Sequence, residues 1–283
     1  MPELPEVETI RRQLAPELLG RRIDRVRVYH DDLLLGPRNR REFRRLCRGR
    51  RLGPAGRRAK FLLFPLHRED ACDAKPEAVI RTQLRMTGRF WLGGQRPDPL
   101  EFRHPGAEFV LDDGRTLFYD DVRRLGGFDI LSIPEWRAVE GRLGPEPLSA
   151  SFTARRLARR LEPLRAPIKH VLLDQRRIAG IGNIYASEAL HRASIDPFKP
   201  AGTLAYGEIA RLHRAVRRVL REALDASGTS FSDYRAPDGR SGSFQNRLRV
   251  YGREGAPCLR CSTSLERAVQ GGRSTFYCPQ CQR

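Results

Sequence analysis

The sequence predicts an α+β chain of two unlike domains, and three observations predict it. One helical stretch followed by short β-like runs fills the first 132 residues, helical periods take over after about residue 150, and the last 26 residues carry two CxxC pairs. At 283 residues the chain is long enough for two domains, and 40% hydrophobic residues can supply their cores.

Residues 6–18, EVETIRRQLAPEL, place Val7, Ile10, Leu14 and Leu18 at steps of three, four and four. That spacing makes one apolar helix face, started by Pro5 and disturbed near Pro16. IDRVRVYH from Ile23, AKFLLFPL from Ala59 and AEFVLDDGRTLFYDD from Ala107 read as strands, the last a hairpin turning at Asp113-Gly114. These give a first domain over 1–132, one helix on a mostly antiparallel β domain. IPEWRAVEGRLGPEPLSASF is punctuated by proline and glycine, so 133–150 reads as a linker. A helical domain over 151–251 follows: FTARRLARRLEPL spaces Leu157, Leu161 and Leu164, and GEIARLHRAVRRVLREAL spaces Ile209, Leu212, Val216, Leu220 and Leu224. Within it, 228–246 is polar and glycine-studded and reads as a long loop.

Lys and Arg number 53 against 34 Asp and Glu, a net charge of +19 that suits a polyanion. Nucleic acid leads, with an anionic membrane surface second. No run of about 18 apolar residues marks a membrane span, and the N-terminus lacks a signal-peptide layout, so a cytoplasmic protein is expected. The arginine-rich helices read as solvated faces over buried leucines, and charge alone does not put DNA on them.

Four of six cysteines form Cys258-x2-Cys261, a gap of sixteen, and Cys278-x2-Cys281. This is a four-cysteine zinc spacing, closed and therefore structural, with a redox dithiol pair as the minority reading. A zinc-held hairpin over 252–283 would present Arg273 rigidly; alone, Arg273 reads as a solvated arginine. Gly180-Ile181-Gly182-Asn183 precedes a helical run, with Asn183 where an N-cap would sit. It is either a phosphate clamp at a helix N-terminus or a plain interhelical turn, and Lys169 upstream favours the clamp.

At the other end Pro2 follows Met1. It is a stiff lead into the helix or, with Met1 removed, a free secondary amine. Such an amine can attack C1′ of a deoxyribose, displace the base and leave an iminium that serves as an electron sink. Glu3 suits the general acid. Glu6 reads either as part of this site or as a carboxylate stabilising the helix start.

These residues together resemble the formamidopyrimidine-DNA glycosylases, relatives of endonuclease VIII. The resemblance rests on PELPEVET, RRAKFLLF around Lys60, MTG at Met86, DVRRLGG at Arg123, GIGNIYASEAL and the four-cysteine finger, and it spans nearly the whole chain. It implies a β-sandwich behind the first helix, a helix–two-turn–helix motif and a zinc-finger hairpin whose four cysteines hold one structural Zn2+. It implies Pro2 as nucleophile, Glu3 as acid and Glu6 in support, and a phosphate-binding set of Lys60 (grouped with the catalytic residues), Lys169, Asn183 and Arg273, with His104 more loosely matched. Met86, Arg123 and Leu125 match the side chains that fill the space left by an everted base, Arg123 also touching DNA. The 228–246 loop matches the one that closes over that base.

The implied activity is a bifunctional glycosylase and AP lyase for 8-oxoguanine and formamidopyrimidines. The implied partner is duplex DNA with oxidised bases or abasic sites, met by a monomer at the nucleoid. The rivals are an endonuclease VIII-like preference for oxidised pyrimidines, a non-catalytic damaged-DNA binder and a zinc-ribbon RNA-binding protein. The chain departs from the family in three places: Leu125 stands where phenylalanine is usual, Arg85 replaces a glycine before Met86, and 67–78 is a polar insertion.

Overall fold

The apolar stripe of the first helix and the buried residues of the strands that follow it meet in one two-sheet core with that helix laid along it. The computed structural model describes residues 2–68, 75–98, 102–229 and 242–283. The centre of the 67–78 insertion, including Cys72, and most of the 228–246 loop lie outside the described residues, as does Met1. The chain forms two compact units, residues 1–141 with 227–242, and residues 142–226 with 243–283.

The first unit runs α1 (Leu4–Leu18), β1 (Ile23–Val28), α2 (Arg40–Cys47), β2 (Arg51–Leu52), β3 (Gly56–Arg58), β4 (Phe61–His67), β5 (Ala78–Gln83), β6 (Gly88–Gly93), β7 (Pro105–Leu111), β8 (Thr116–Asp121), β9 (Gly127–Ser132) and α3 (Ile133–Gly141). One antiparallel sheet has the order β1-β7-β8-β6; the other is β2-β4-β5-β9, with β3 also paired to β4. Their inner faces meet in one aromatic core. Phe64 and Phe90 from opposite sheets are 5.9 Å apart, and Phe128 lies 4.6 Å from Tyr119 and 5.4 Å from Phe109. Val7, Ile10, Leu14 and Leu18 of α1 join this core, as their spacing predicts.

Two local expectations change. Pro16 does not disturb α1, which runs on to Leu18; Pro16 is on the exposed face, where the carbonyl that loses its partner meets water. The stretch expected as a linker begins with α3. Pro134 falls in the first turn, where its missing N–H costs nothing, and Trp136 packs on Leu63, Val79 and Leu131.

The second unit contains α4 (Ala154–Leu161), α5 (Ile168–Leu173), α6 (Asn183–Ala193), α7 (Tyr206–Asp225) and the hairpin β10 (Glu266–Gln270)–β11 (Arg273–Tyr277). The buried Ile209, Leu212, Val216 and Leu220 put α7 against α4 and α6. A buried carboxylate ties the segment before the finger to α6: Glu188 accepts from the backbone N–H groups of Arg249, Val250 and Tyr251 at 2.9–3.0 Å.

Candidate active site

The site residues fall into two groups, one on each unit. In the first unit, Pro2 is buried directly before Glu3, the residue that caps α1, and Glu3 and Glu6 are only 1% and 2% exposed. Glu6 does two things with one carboxylate. Its Oε2 accepts from the Glu3 N–H at 2.8 Å, fixing the turn that carries Pro2, and its Oε1 accepts from the Thr229 N–H at 2.7 Å. Gly228 is at φ +85°, where a Cβ would lie 2.8 Å from that same Oε1. Only glycine fits there. Glu6 thus links the helix start to the first residues of the 228–246 segment.

Helix α1 packs on β3 and β4, and Lys60 sits in the turn between those strands, after Ala59 at φ +53°. Glu8 secures the helix to this strand pair: it bonds Arg11 at 2.8 Å and Arg57 of β3 at 3.2 Å. Burial works to raise the Glu8 pKa, but the bond and charge of Arg11 and the charge of Arg57 bring it below the usual value.

Met86 lies on the β5–β6 loop, and Arg123 and Leu125 lie on the β8–β9 loop. All three are exposed, Met86 at 42% and Leu125 at 46%, and the Arg123 guanidinium lies 3.1 Å from the Met86 sulfur. A fully buried carboxylate, Asp121, holds the two loops together. It accepts from the Thr87 hydroxyl, from the Gly126 N–H at 2.8 Å and from the Tyr119 hydroxyl at 3.2 Å, while Thr87 Oγ1 accepts from the Arg123 N–H at 3.1 Å. Burial, and then the charge of Asp121, push the Tyr119 phenol up, so it stays a donor. His104 is exposed beside this loop: its N–H donates to Asp120 at 2.6 Å, and its carbonyl accepts from the Asp121 N–H at 3.2 Å.

In the second unit the helix–turn–helix and the finger converge on one carbonyl. Lys169 Nζ and Asn183 Nδ2 each donate to the Ser274 oxygen at 2.9 Å, and Lys169 also reaches Thr275 Oγ1 at 2.7 Å. Arg273, the neighbouring residue, is exposed after the Gly271-Gly272 turn, both glycines having positive φ. The α5–α6 turn is shaped by Gln175, which accepts from the Gly180 N–H at 2.8 Å and donates to the Ile181 carbonyl at 2.8 Å. The N-cap of α6 is Gly182, and Asn183 is the first helical residue, one position later than its residue type suggests.

Cys258, Cys261, Cys278 and Cys281 bring their sulfurs within 4.8 Å of one another. Separations of 4.0, 3.5 and 3.3 Å bracket the edge of about 3.8 Å of a tetrahedron with Zn–S near 2.3 Å. Backbone N–H groups of Arg260 and Cys281 point at the sulfurs of Cys258 and Cys278, as thiolate ligands require. The four fit one zinc ion with no open position, a structural role.

Residues 1–128 match the family model described as the formamidopyrimidine-DNA glycosylase N-terminal domain, residues 143–234 its H2TH domain, and residues 255–283 the zinc finger found in FPG and IleRS. The chain belongs to the formamidopyrimidine-DNA glycosylase family. Relatives called formamidopyrimidine-DNA glycosylase in Chloroflexus aggregans and in Thermus thermophilus are each 46% identical, over all of this chain and 98% of theirs. The crystal structure of the Thermus thermophilus MutM (Fpg) protein superposes with a TM-score of 0.86 at 43% identity, covering 99% of this chain and 98% of that one. A Lactococcus lactis Fpg in complex with abasic-site DNA gives 0.87 at 30% identity, covering 99% of each chain. The α+β fold with its zinc finger is the family's, and the chain is a DNA-repair glycosylase.

Sequence reasoning assigned no role to Asp121 and Thr87, although Thr87 stands inside the MTG motif and Asp121 at the head of DVRRLGG. The available signal was an acid two residues before Arg123 in the same motif. Nothing in the sequence marks the Ser274 carbonyl or the Glu6–Thr229 bond.

Proposed function

We propose that this glycosylase excises oxidised purines, 8-oxoguanine and formamidopyrimidines, from duplex DNA and then cleaves the strand as an AP lyase. The observation that carries this reading is the buried Pro2-Glu3 pair at the head of α1, its turn held by Glu6. In a chain beginning at Pro2, the secondary amine attacks C1′ and the C1′–N bond to the base breaks. Glu3 delivers the proton that opens the sugar ring. The iminium then accepts the electron pair released when a C2′ proton leaves, expelling the 3′ phosphate; a second elimination expels the 5′ phosphate. Lys60, Lys169, Asn183 and Arg273 hold backbone phosphates, with His104 beside the wedge. Met86, Arg123 and Leu125 fill the vacated stack, and the 228–246 segment covers the everted base. Zinc supplies only the rigidity of the hairpin that carries Arg273.

Relatives in complex with abasic-site DNA and Fapy-dG DNA support this substrate class. A Lactococcus lactis complex with oxidised-pyrimidine DNA favours such lesions as a second substrate. The protein acts as a monomer on the cytoplasmic nucleoid; its charge of +19 supports that association.

Borohydride trapping tests the reading on duplexes carrying 8-oxoguanine opposite cytosine or thymine glycol, with protein shown by mass to begin at Pro2. The expected result is a covalent adduct, strongest on the purine lesion, absent in Pro2→Gly and lost on the oxidised-base duplex in Glu3→Gln. No adduct on either duplex would leave a DNA-binding relative without the reaction.

A further inference from the structure

Outside the groups above, the second unit holds a cavity of about 710 Å³ whose lining is dominated by arginine. Four of these, Arg211, Arg214, Arg218 and Arg221, recur along α7 at steps of three, four and three, all exposed. They form one stripe about 15 Å long at 1.5 Å per residue. Arg192 of α6, Arg249 of the segment before the finger and Arg260 of the finger close the basin, and Glu222 and Asp225 are its only lining acids among the described residues.

The arrangement fixes guanidinium groups without cancelling their charge. Arg217 donates to the carbonyls of Pro147 and Ser149 at 2.8 and 2.7 Å, and Arg211 donates to that of Ala193 at 3.1 Å. Carbonyls orient an arginine but do not neutralise it. Glu222 alone is shared between Arg192 and Arg218. The Arg192 side chain is 8% exposed, and its Nε is buried with no hydrogen-bond partner among the described residues. Burial first, and then neighbouring arginines, lower the pKa of Arg217 and Arg249. Such like-charge crowding is relieved by an anion.

The position separates this basin from the phosphate group already described. Asn183 opens α6 and Arg192 stands nine residues on, about 14 Å along the axis. We propose that the basin is a second nucleic-acid site that takes the sugar–phosphate backbone of an undamaged duplex segment. A stripe of guanidiniums at regular steps fits a linear polyanion better than one compact anion. Holding a second segment lets the protein pass between DNA segments while the lesion site samples one of them. This rests on the chain acting on DNA, as proposed above, but does not require that it cut.

The zinc-loaded full-length protein is first saturated with a short duplex carrying a stable abasic-site analogue. A labelled undamaged 20-bp duplex is then titrated in at 50 and 200 mM salt, with stoichiometry read by sedimentation. The wild type is expected to take a second duplex. An Arg214→Ala/Arg221→Ala variant is expected to lose two phosphate contacts, so that between these salts the wild type loses about tenfold more affinity than the variant. The Arg214→Lys/Arg221→Lys pair should restore the salt slope, and borohydride trapping should be the same in all three proteins. A binary complex that refuses the second duplex overturns the proposal, as does an unchanged slope in the alanine variant or displacement of the second duplex by polyglutamate but not by unlabelled duplex. Failed trapping beside intact second-duplex binding would count against the lyase reading alone.

Discussion

The two units organise their functional loops with opposite charges. In the first unit a buried carboxylate sits at each centre and backbone donors turn inward to it: Asp121 between the β5–β6 and β8–β9 loops, Glu6 between the Glu3 and Thr229 N–H groups. In the second unit a buried cation and an amide turn inward to a backbone carbonyl, Lys169 and Asn183 on Ser274. The difference follows from what each end handles. On the proposed function the first unit has to hold Pro2 and the exposed Met86, Arg123 and Leu125 in one geometry, which carboxylates accepting several N–H groups do well. On the same reading the second has to keep positive charge for phosphates, and there a carbonyl, which orients Lys169 and Asn183 without neutralising the lysine, gathers them.

Removing zinc is the harshest way to break this comparison. A chelator should unfold the β10–β11 hairpin, detach Ser274 from Lys169 and weaken binding of an abasic-site duplex by about 100-fold or more. Both tryptophans, Trp91 and Trp136, lie in the first unit, so their fluorescence should stay native while the far-ultraviolet spectrum changes. A fluorescence change of the same size would show that the first unit depends on the metal too.

Replacing Asp121 probes the other side. Asp121→Ala strands the Gly126 N–H and two hydroxyls in a buried site, at a cost of about 2–4 kcal/mol. Urea unfolding followed by tryptophan fluorescence should show that loss. A cost below about 0.5 kcal/mol would deny Asp121 its central place.

A smaller effect of opposite sign is expected at Arg85, held at φ +54° just before Met86, as Arg124 is held at φ +49° just before Leu125. Arg85→Gly should stabilise the fold by about 0.5–1 kcal/mol in thermal melts, because glycine adopts that conformation without strain. If salt-dependent affinity for duplex falls in the same variant, the arginine contributes charge beside Met86 in exchange for the strain.

The smallest effect is pH-dependent. The folded Glu8 pKa lies below its ordinary 4.5, so the stability Glu8 contributes is complete above that value and disappears as pH falls through the folded pKa. Glu8→Gln should cost up to about 1 kcal/mol at pH 7, and the gap to wild type should close as the pH drops below 4.5. A gap that persists at about pH 3 would assign the loss to packing.

Much of this was legible beforehand because it is local. The helix face of Val7, Ile10, Leu14 and Leu18, the Asp113-Gly114 hairpin, the apolar face of α7 and each CxxC pair depend on spacings within a few residues, and backbone geometry turns such spacings directly into structure. Where prolines were read only as punctuation the reading fell short: α1 passes through Pro16, and Pro134 sits in the first turn of α3. The sequence by itself determined the fold class, the family, the zinc ligands and the residue types available for the chemistry. Only the tertiary structure decided that Asp121 joins the β5–β6 and β8–β9 loops, that Glu6 joins residues 223 positions apart, that Ser274 gathers Lys169 and Asn183, and that arginines from α6, α7 and the finger share one basin. Those are long-range bonds, several to backbone atoms that every residue carries alike, and a pattern of side chains along the chain cannot encode which distant carbonyl or N–H group will be met.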